Sequence, residues 1–261
     1  MSQLFNPTRF GRLVRKHASE HARTYLMSAA VLLGGVVVVL GGLTYATRRP
    51  LENELQTLLF MVGLWTAGLA FTATVFAEMG NVRRAASALL LPASHLEKYL
   101  VVWLCSLPVF LVVYLAVFLA VDALVLQWAG QSYPQLPHHL PRLLDLTSSR
   151  RPLLTVVASY SLVHALALCG AIYFRSLHIV KTSFAVLGGV VLVLVLNFWM
   201  WKLLATEVHT AVPFGDGFVS GKDNLLIVDL PHQLQLLATL PLVLAALLWA
   251  AAYARLTEKQ L

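Results

Sequence analysis

A chain of 261 residues with 59% hydrophobic and only 12% charged residues stands far from the soluble norm of about 25% charged. Its mean hydropathy of +0.76 excludes an ordinary soluble domain, which would have to bury several uncharged runs of about 20 residues, each long enough to cross a bilayer as a helix. The net charge of +7 belongs to the ends and connections of such runs. The chain reads as one all-α integral membrane domain over residues 1–261. Cys105 and Cys169 both fall inside apolar runs, as small buried hydrophobes do, and are not expected to pair.

At the start, Asn6 is a good N-cap and Pro7 suits the first helical position. Phe10, Leu13, Val14 and Ala18 then recur at helical spacing among Arg9, Arg12, Arg15 and Lys16. That pattern predicts an interfacial elbow helix over 6–22, lying on the membrane surface. A basic helix could also meet nucleic acid or an acidic partner, but the apolar span that follows makes anionic lipid the expected contact. A cleaved signal is not expected: the charged region is too long and no small-x-small site precedes Thr47.

Six spans follow, near residues 25–46, 56–77, 96–126, 153–174, 184–204 and 234–253. The third is too long for a straight crossing and contains Pro108, which predicts a kink or tilt. An even count puts both termini on one side. That side carries twelve of the 19 Lys and Arg residues against seven on the other, so both ends are expected in the cytoplasm. Tyr25, Tyr45, Tyr99, Tyr173 and Tyr253, with Trp128, Trp199 and Trp201, fall at the boundaries as interface belts. Trp65, at mid-span, reads as a helix-packing residue.

The most structured connection is the segment 78–99. Glu78 ends the second apolar run, and Gly80 and Asn81 tolerate a left-handed C-cap. Arg83 to Leu91 reads as a short amphipathic helix that must stop by Pro92. Ser94-His95-Leu96-Glu97 then has the spacing of a capping box. At the negative end of its helix, the Glu78 carboxylate is opposed by about 0.3–1 kcal/mol and needs a cation. Arg83 and Arg84 can supply it as an internal ion pair, or the whole segment can be a docking knuckle for a soluble protein.

Two outer loops, 128–152 and 205–233, are long enough to carry structure. The second is polar and turn-rich with short β-like runs, which predicts an outer cap. His138-His139, His209 and His232 share that side, yet adjacent histidines point apart and no cysteine accompanies them, so no metal site is expected. At bilayer depth only His164 and Asp122 qualify as ionisable, fewer than a proton- or sodium-coupled transporter would need. Ser159 and Ser161 lie close to His164, which could suggest a nucleophile. Hydrogen bonding between helices is the expected role. No H-E-x-x-H, G-x-S-x-G or phosphate-binding glycine loop is present, so neither catalytic residues nor a cofactor is expected on this chain.

Six spans, an interfacial N-terminal helix and a structured break after the second span together resemble the membrane-spanning permease subunit of ABC transporters of the ABC-2 exporter type. The likeness extends to a group of bacterial permease-like proteins through SALLLPASHLEKYL, IYFRSLHIVKTSFAV at residues 172 to 186, and the tail YARLTEKQL, in the same order across nearly the whole chain. The resemblance implies a multi-pass protein of the bacterial cytoplasmic membrane that dimerises with a second permease copy. A separate ATPase carrying ATP and Mg would drive export of a hydrophobic or amphipathic substrate. It also makes 78–99 a coupling element, with Glu78, Arg83, Arg84, Leu91, Pro92, Ser94, His95 and Glu97 docking the ATPase. The stretch from Arg175 to Lys181 would be a minor contact. The outer cap departs from the re-entrant hairpins that such proteins often carry before the last span. Two other readings stay open: a membrane scaffold that docks a cytoplasmic partner, and a polytopic enzyme with the outer histidines and His164 as its candidate groups.

Overall fold

The computed structural model describes residues 6–80, 94–132, 151–173, 178–204, 208–211, 217–220, 225–228 and 233–258. Helix α1 (Pro7–Thr47) opens on Asn6, whose side chain accepts from the amides of Thr8 and Arg9, and closes on Arg48 in the left-handed conformation at φ 51°. It is one unbroken helix of 41 residues, about 62 Å long at 1.5 Å per residue. The expected elbow is therefore not a separate surface helix. Nothing between Gly11 and Gly34 supplies a glycine or proline break, so the basic turns run straight into the span.

Helix α2 (Asn53–Gly80) returns, and α3 (His95–Leu104) continues through a π-helical turn, Cys105–Val109, into α4 (Phe110–Ser132). The break expected at Pro108 takes the form of that wide turn. Proline has no amide hydrogen to donate, and an extra residue in the turn accommodates its ring. Helices α5 (Arg151–Tyr173), α6 (His178–Leu204) and α7 (Gln233–Glu258) complete the bundle.

Among the described residues five helical segments are long and apolar enough to cross a membrane: Pro7–Thr47, Asn53–Val75, Leu96–Ser132, Val156–Tyr173 and Thr239–Glu258. This is a multi-pass membrane protein. The predicted fifth span lies within α6, where Val186–Leu196 is an apolar run among the described residues.

Among the described residues the one departure from an all-α fold is a small antiparallel sheet between α6 and α7. Strands β1 (Val208–Ala211), β2 (Gly217–Ser220) and β3 (Leu225–Val228) pair in that order, with Gly217 opposite Val228 and Ser220 opposite Leu225. These are the β-like runs of the predicted cap.

Helix α5 is the hub, packing against α2, α6 and α7. Of its apolar stretch 61% is buried, against 11–33% for the other four, so most of the bundle's interior contact passes through it. Two aromatic side chains reach α2 through glycine. A Cβ at Gly63 would collide with the Tyr114 hydroxyl, and one at Gly68 with the Tyr160 ring. Seated there, Tyr114 donates to the carbonyl of Phe60 at 2.8 Å. Rings of Tyr25, Phe71, Phe110 and Tyr160 then follow one another at centroid separations of 5.6, 5.1 and 5.6 Å. Trp65, expected in this packing, instead faces outward and is 39% exposed.

Alanine in place of a helical glycine ordinarily stabilises by up to about 1 kcal/mol. At Gly34, where a Cβ meets nothing within 4 Å, that sign should hold. At Gly68 it should reverse to a loss of about 1–3 kcal/mol, because the Tyr160 ring must shift. Thermal unfolding of Gly34→Ala and Gly68→Ala in the same detergent checks the contrast.

Candidate functional site

Two polar centres organise the described part of the bundle, one at its basic end and one deep inside it. At the basic end, Ser94 caps α3: its hydroxyl accepts from the Glu97 amide at 3.2 Å, and the Glu97 carboxylate accepts from the Ser94 amide at 3.1 Å. The capping box predicted from the sequence is thus formed. The same carboxylate also accepts from the Asn6 amide at 2.8 Å and from Arg9 twice, Nε to Oε2 at 2.7 Å and Nη2 to Oε1 at 2.8 Å.

One side chain therefore joins the N-termini of α1 and α3, which lie 88 residues apart at Arg9 and Glu97. Both helices present the positive ends of their dipoles to it. The Glu97 side chain is 0% exposed and that of Arg9 34%. A carboxylate withdrawn from water is costly unless paired and hydrogen-bonded, and here a bidentate guanidinium and two backbone amides satisfy both oxygens.

This geometry gives two of the expected contact residues internal partners. Both Glu97 oxygens accept hydrogen bonds inside the protein. Arg9 is turned toward α3, with its side chain 34% exposed. Of the other surface-helix residues, Phe10 and Leu13 are half-buried, while Arg12, Arg15 and Lys16 are exposed, with Lys16 3.7 Å from Glu20. Glu78 belongs to the last turns of α2, Ser94 is the α3 cap and His95 its first residue. Arg83, Arg84, Leu91 and Pro92 lie outside the described residues, and with them the proposed pairing of Glu78.

The deeper centre surrounds His164 on α5, which is 0% exposed. The indole nitrogen of Trp249 on α7 lies 3.1 Å from its Nδ1, and Ser106 Oγ lies 2.8 Å from its Nε2. An indole N–H only donates, so Nδ1 is the unprotonated nitrogen of a neutral ring and Nε2–H points at Ser106. The Ser106 hydroxyl then donates to the Val102 carbonyl at 2.8 Å. Ser106 sits in the π-turn, and the Tyr160 hydroxyl donates to its carbonyl at 2.9 Å.

Three helices are thereby tied at the point where Pro108 disturbs the backbone ladder. In this arrangement Ser106 accepts from the histidine, the reverse of what an activated nucleophile needs. Ser159, the serine singled out near His164, bonds instead to the Val156 carbonyl at 3.1 Å. Nearby, Tyr99 donates to the Trp249 carbonyl at 3.1 Å and Cys169 to that of Leu248 at 3.2 Å. Asp122 is buried to 7% exposure on α4.

Sequence reasoning missed Ser106 and Trp249 as partners of His164. The only signal for Ser106 was its place two residues before Pro108. His138, His139 and His232 lie outside the described residues, and His209 falls in β1. Comparison with protein-family models, with curated proteins and with solved structures finds no match.

Truncating Ser106 to alanine or Trp249 to phenylalanine should each destabilise by about 0.6–1.7 kcal/mol, from the average to the largest value measured for hydrogen bonds between membrane helices. Denaturant titration of the native and altered proteins checks it. At the clamp, Arg9→Ala should cost more stability than Glu97→Gln, because it strands a buried charge. The Arg9→Ala, Glu97→Gln double change should be less damaging than the sum of the two, as a double-mutant cycle in thermal unfolding would report.

Proposed function

We propose that this chain is the membrane-spanning permease subunit of an ATP-driven ABC-type exporter. A separate nucleotide-binding ATPase binds ATP and Mg and docks on the connection between α2 and α3. Two permease copies face each other in the bacterial cytoplasmic membrane, with all termini in the cytoplasm, and six spans per copy counting α6. The cargo is hydrophobic or amphipathic.

The observation that carries this reading is the clamp at Glu97. Helix α3 begins directly after the connection 81–93, and its first turn is bound through Glu97 to the first turn of α1. A push on that connection therefore acts on two spans at once, which is what a coupling element requires. The apolar character of the described interior suits a cargo without fixed charge.

Affinity purification in mild detergent tests the proposal. The native chain should bring down an ATPase, and the Arg83→Glu, Arg84→Glu double change should lose it. Glu97→Gln should retain the ATPase but lower ATP hydrolysis by the complex, because docking survives while transmission weakens. Native chain that purifies without any ATPase, from cells expressing the neighbouring genes, would overturn the reading in favour of a scaffold.

A further inference from the structure

A groove follows the seam between α1 and the π-turn that leads into α4. Its volume is about 410 Å3, and Ala22, Leu26 and Ala29 of α1 face Cys105, Val109 and Val113 across it. Leu26, Val109 and Val113 are exposed at 71%, 48% and 36%, so the groove opens sideways into the surroundings of the bundle and is not a sealed cavity. Alanine at 22 and 29 gives it width.

Along α1 the lining extends from Ala22 to Leu32, about 15 Å of helix at 1.5 Å per residue. That is half of the roughly 30 Å hydrocarbon core, the depth of one leaflet.

The charge beyond the end of the groove is as specific as its length. Arg15 lies two turns before Ala22 on the same side of α1, since residues seven apart share a helix face, and Arg12 lies one turn further. Both are exposed. Their neighbours are occupied, Arg9 by Glu97 and Lys16 by Glu20. Among the described residues no carboxylate pairs with Arg12 or Arg15. Two turns are about 10 Å, and an arginine side chain can cover part of that distance by lying along the helix.

We propose that the groove holds one acyl chain of an anionic phospholipid, whose phosphate is bound by Arg15 and Arg12. The apolar slot fixes the position of the lipid, and the two cations select its head group. A zwitterionic lipid carries its own ammonium beside the phosphate and gains less from them. A basic helix lying on the membrane would attract any anionic surface diffusely, at about 1 kcal/mol per cation. Here the straight helix and its neighbour form a site for a single molecule. The site does not depend on the presence of an ATPase.

Native mass spectrometry of the delipidated full-length chain tests this, with phosphatidylglycerol and phosphatidylcholine of identical acyl chains titrated separately. Phosphatidylglycerol should bind about tenfold more tightly or better, the effect of one to two favourable cations. The Arg12→Gln, Arg15→Gln double change should reduce it to the level of phosphatidylcholine. Ala29→Phe should weaken both lipids by filling the slot. Equal affinities in the native chain, a preference that survives loss of both arginines, or binding unaffected by Ala29→Phe would each overturn the proposal. The arginines are exposed, so their replacement leaves the fold intact and keeps the test decisive even if Ala29→Phe does not fold.

Discussion

A single carboxylate holds the two long helical arms of this protein side by side. Glu97 accepts from the Ser94 amide, the Asn6 amide and both ends of the Arg9 fork, so the start of α1 and the start of α3 share one anion. Helix dipoles, ion pairing and backbone capping all act in the same sense there. The cost of burying a charge is offset only while every partner stays in place. That makes the clamp rigid, and rigidity near the connection after α2 is what a coupling function would need.

From that end the two arms run alongside each other, bridged by Phe71 of α2, which is in ring contact with Tyr25 of α1 and stacked on Phe110 of α4. The consequence is a basic helix that stands in line with its span. Its cations are then divided by geometry: Arg9 is spent on Glu97, while Arg12 and Arg15 are exposed two to three turns before Ala22, where an apolar groove begins. Had α1 bent at the membrane surface, those two cations would not stand in line with the groove.

The π-turn is the second point on which the packing depends. Pro108 removes a backbone donor, and α4 would be weak there without outside help. Tyr160 bonds to the Ser106 carbonyl, while the Ser106 hydroxyl bridges Val102 and His164. Tyr160 reaches this position only because Gly68 leaves room beside α2. A buried histidine in a membrane span invites a proton-relay reading. Held neutral by the Trp249 indole, it serves here as a junction between α5, α7 and the π-turn.

Local chemistry was legible in the sequence. The Asn6 cap, the Ser94–Glu97 box and the disturbance at Pro108 each depend on residues within a turn of one another, and the long apolar runs declare their own helices. The clamp was not legible, because Arg9 and Glu97 are 88 positions apart and each had a plausible role by itself, one on lipid and one in docking. Likewise His164 could be read with Ser159 on its own helix, although its partners come from the π-turn and α7. Composition and periodicity alone determined that this is a helical membrane protein with capped starts and a broken third span. Tertiary structure decided which charge meets which and which way Trp65 faces. A buried charge or polar group bonds to whatever the packing brings within about 3 Å, and that proximity is absent from the order of the chain.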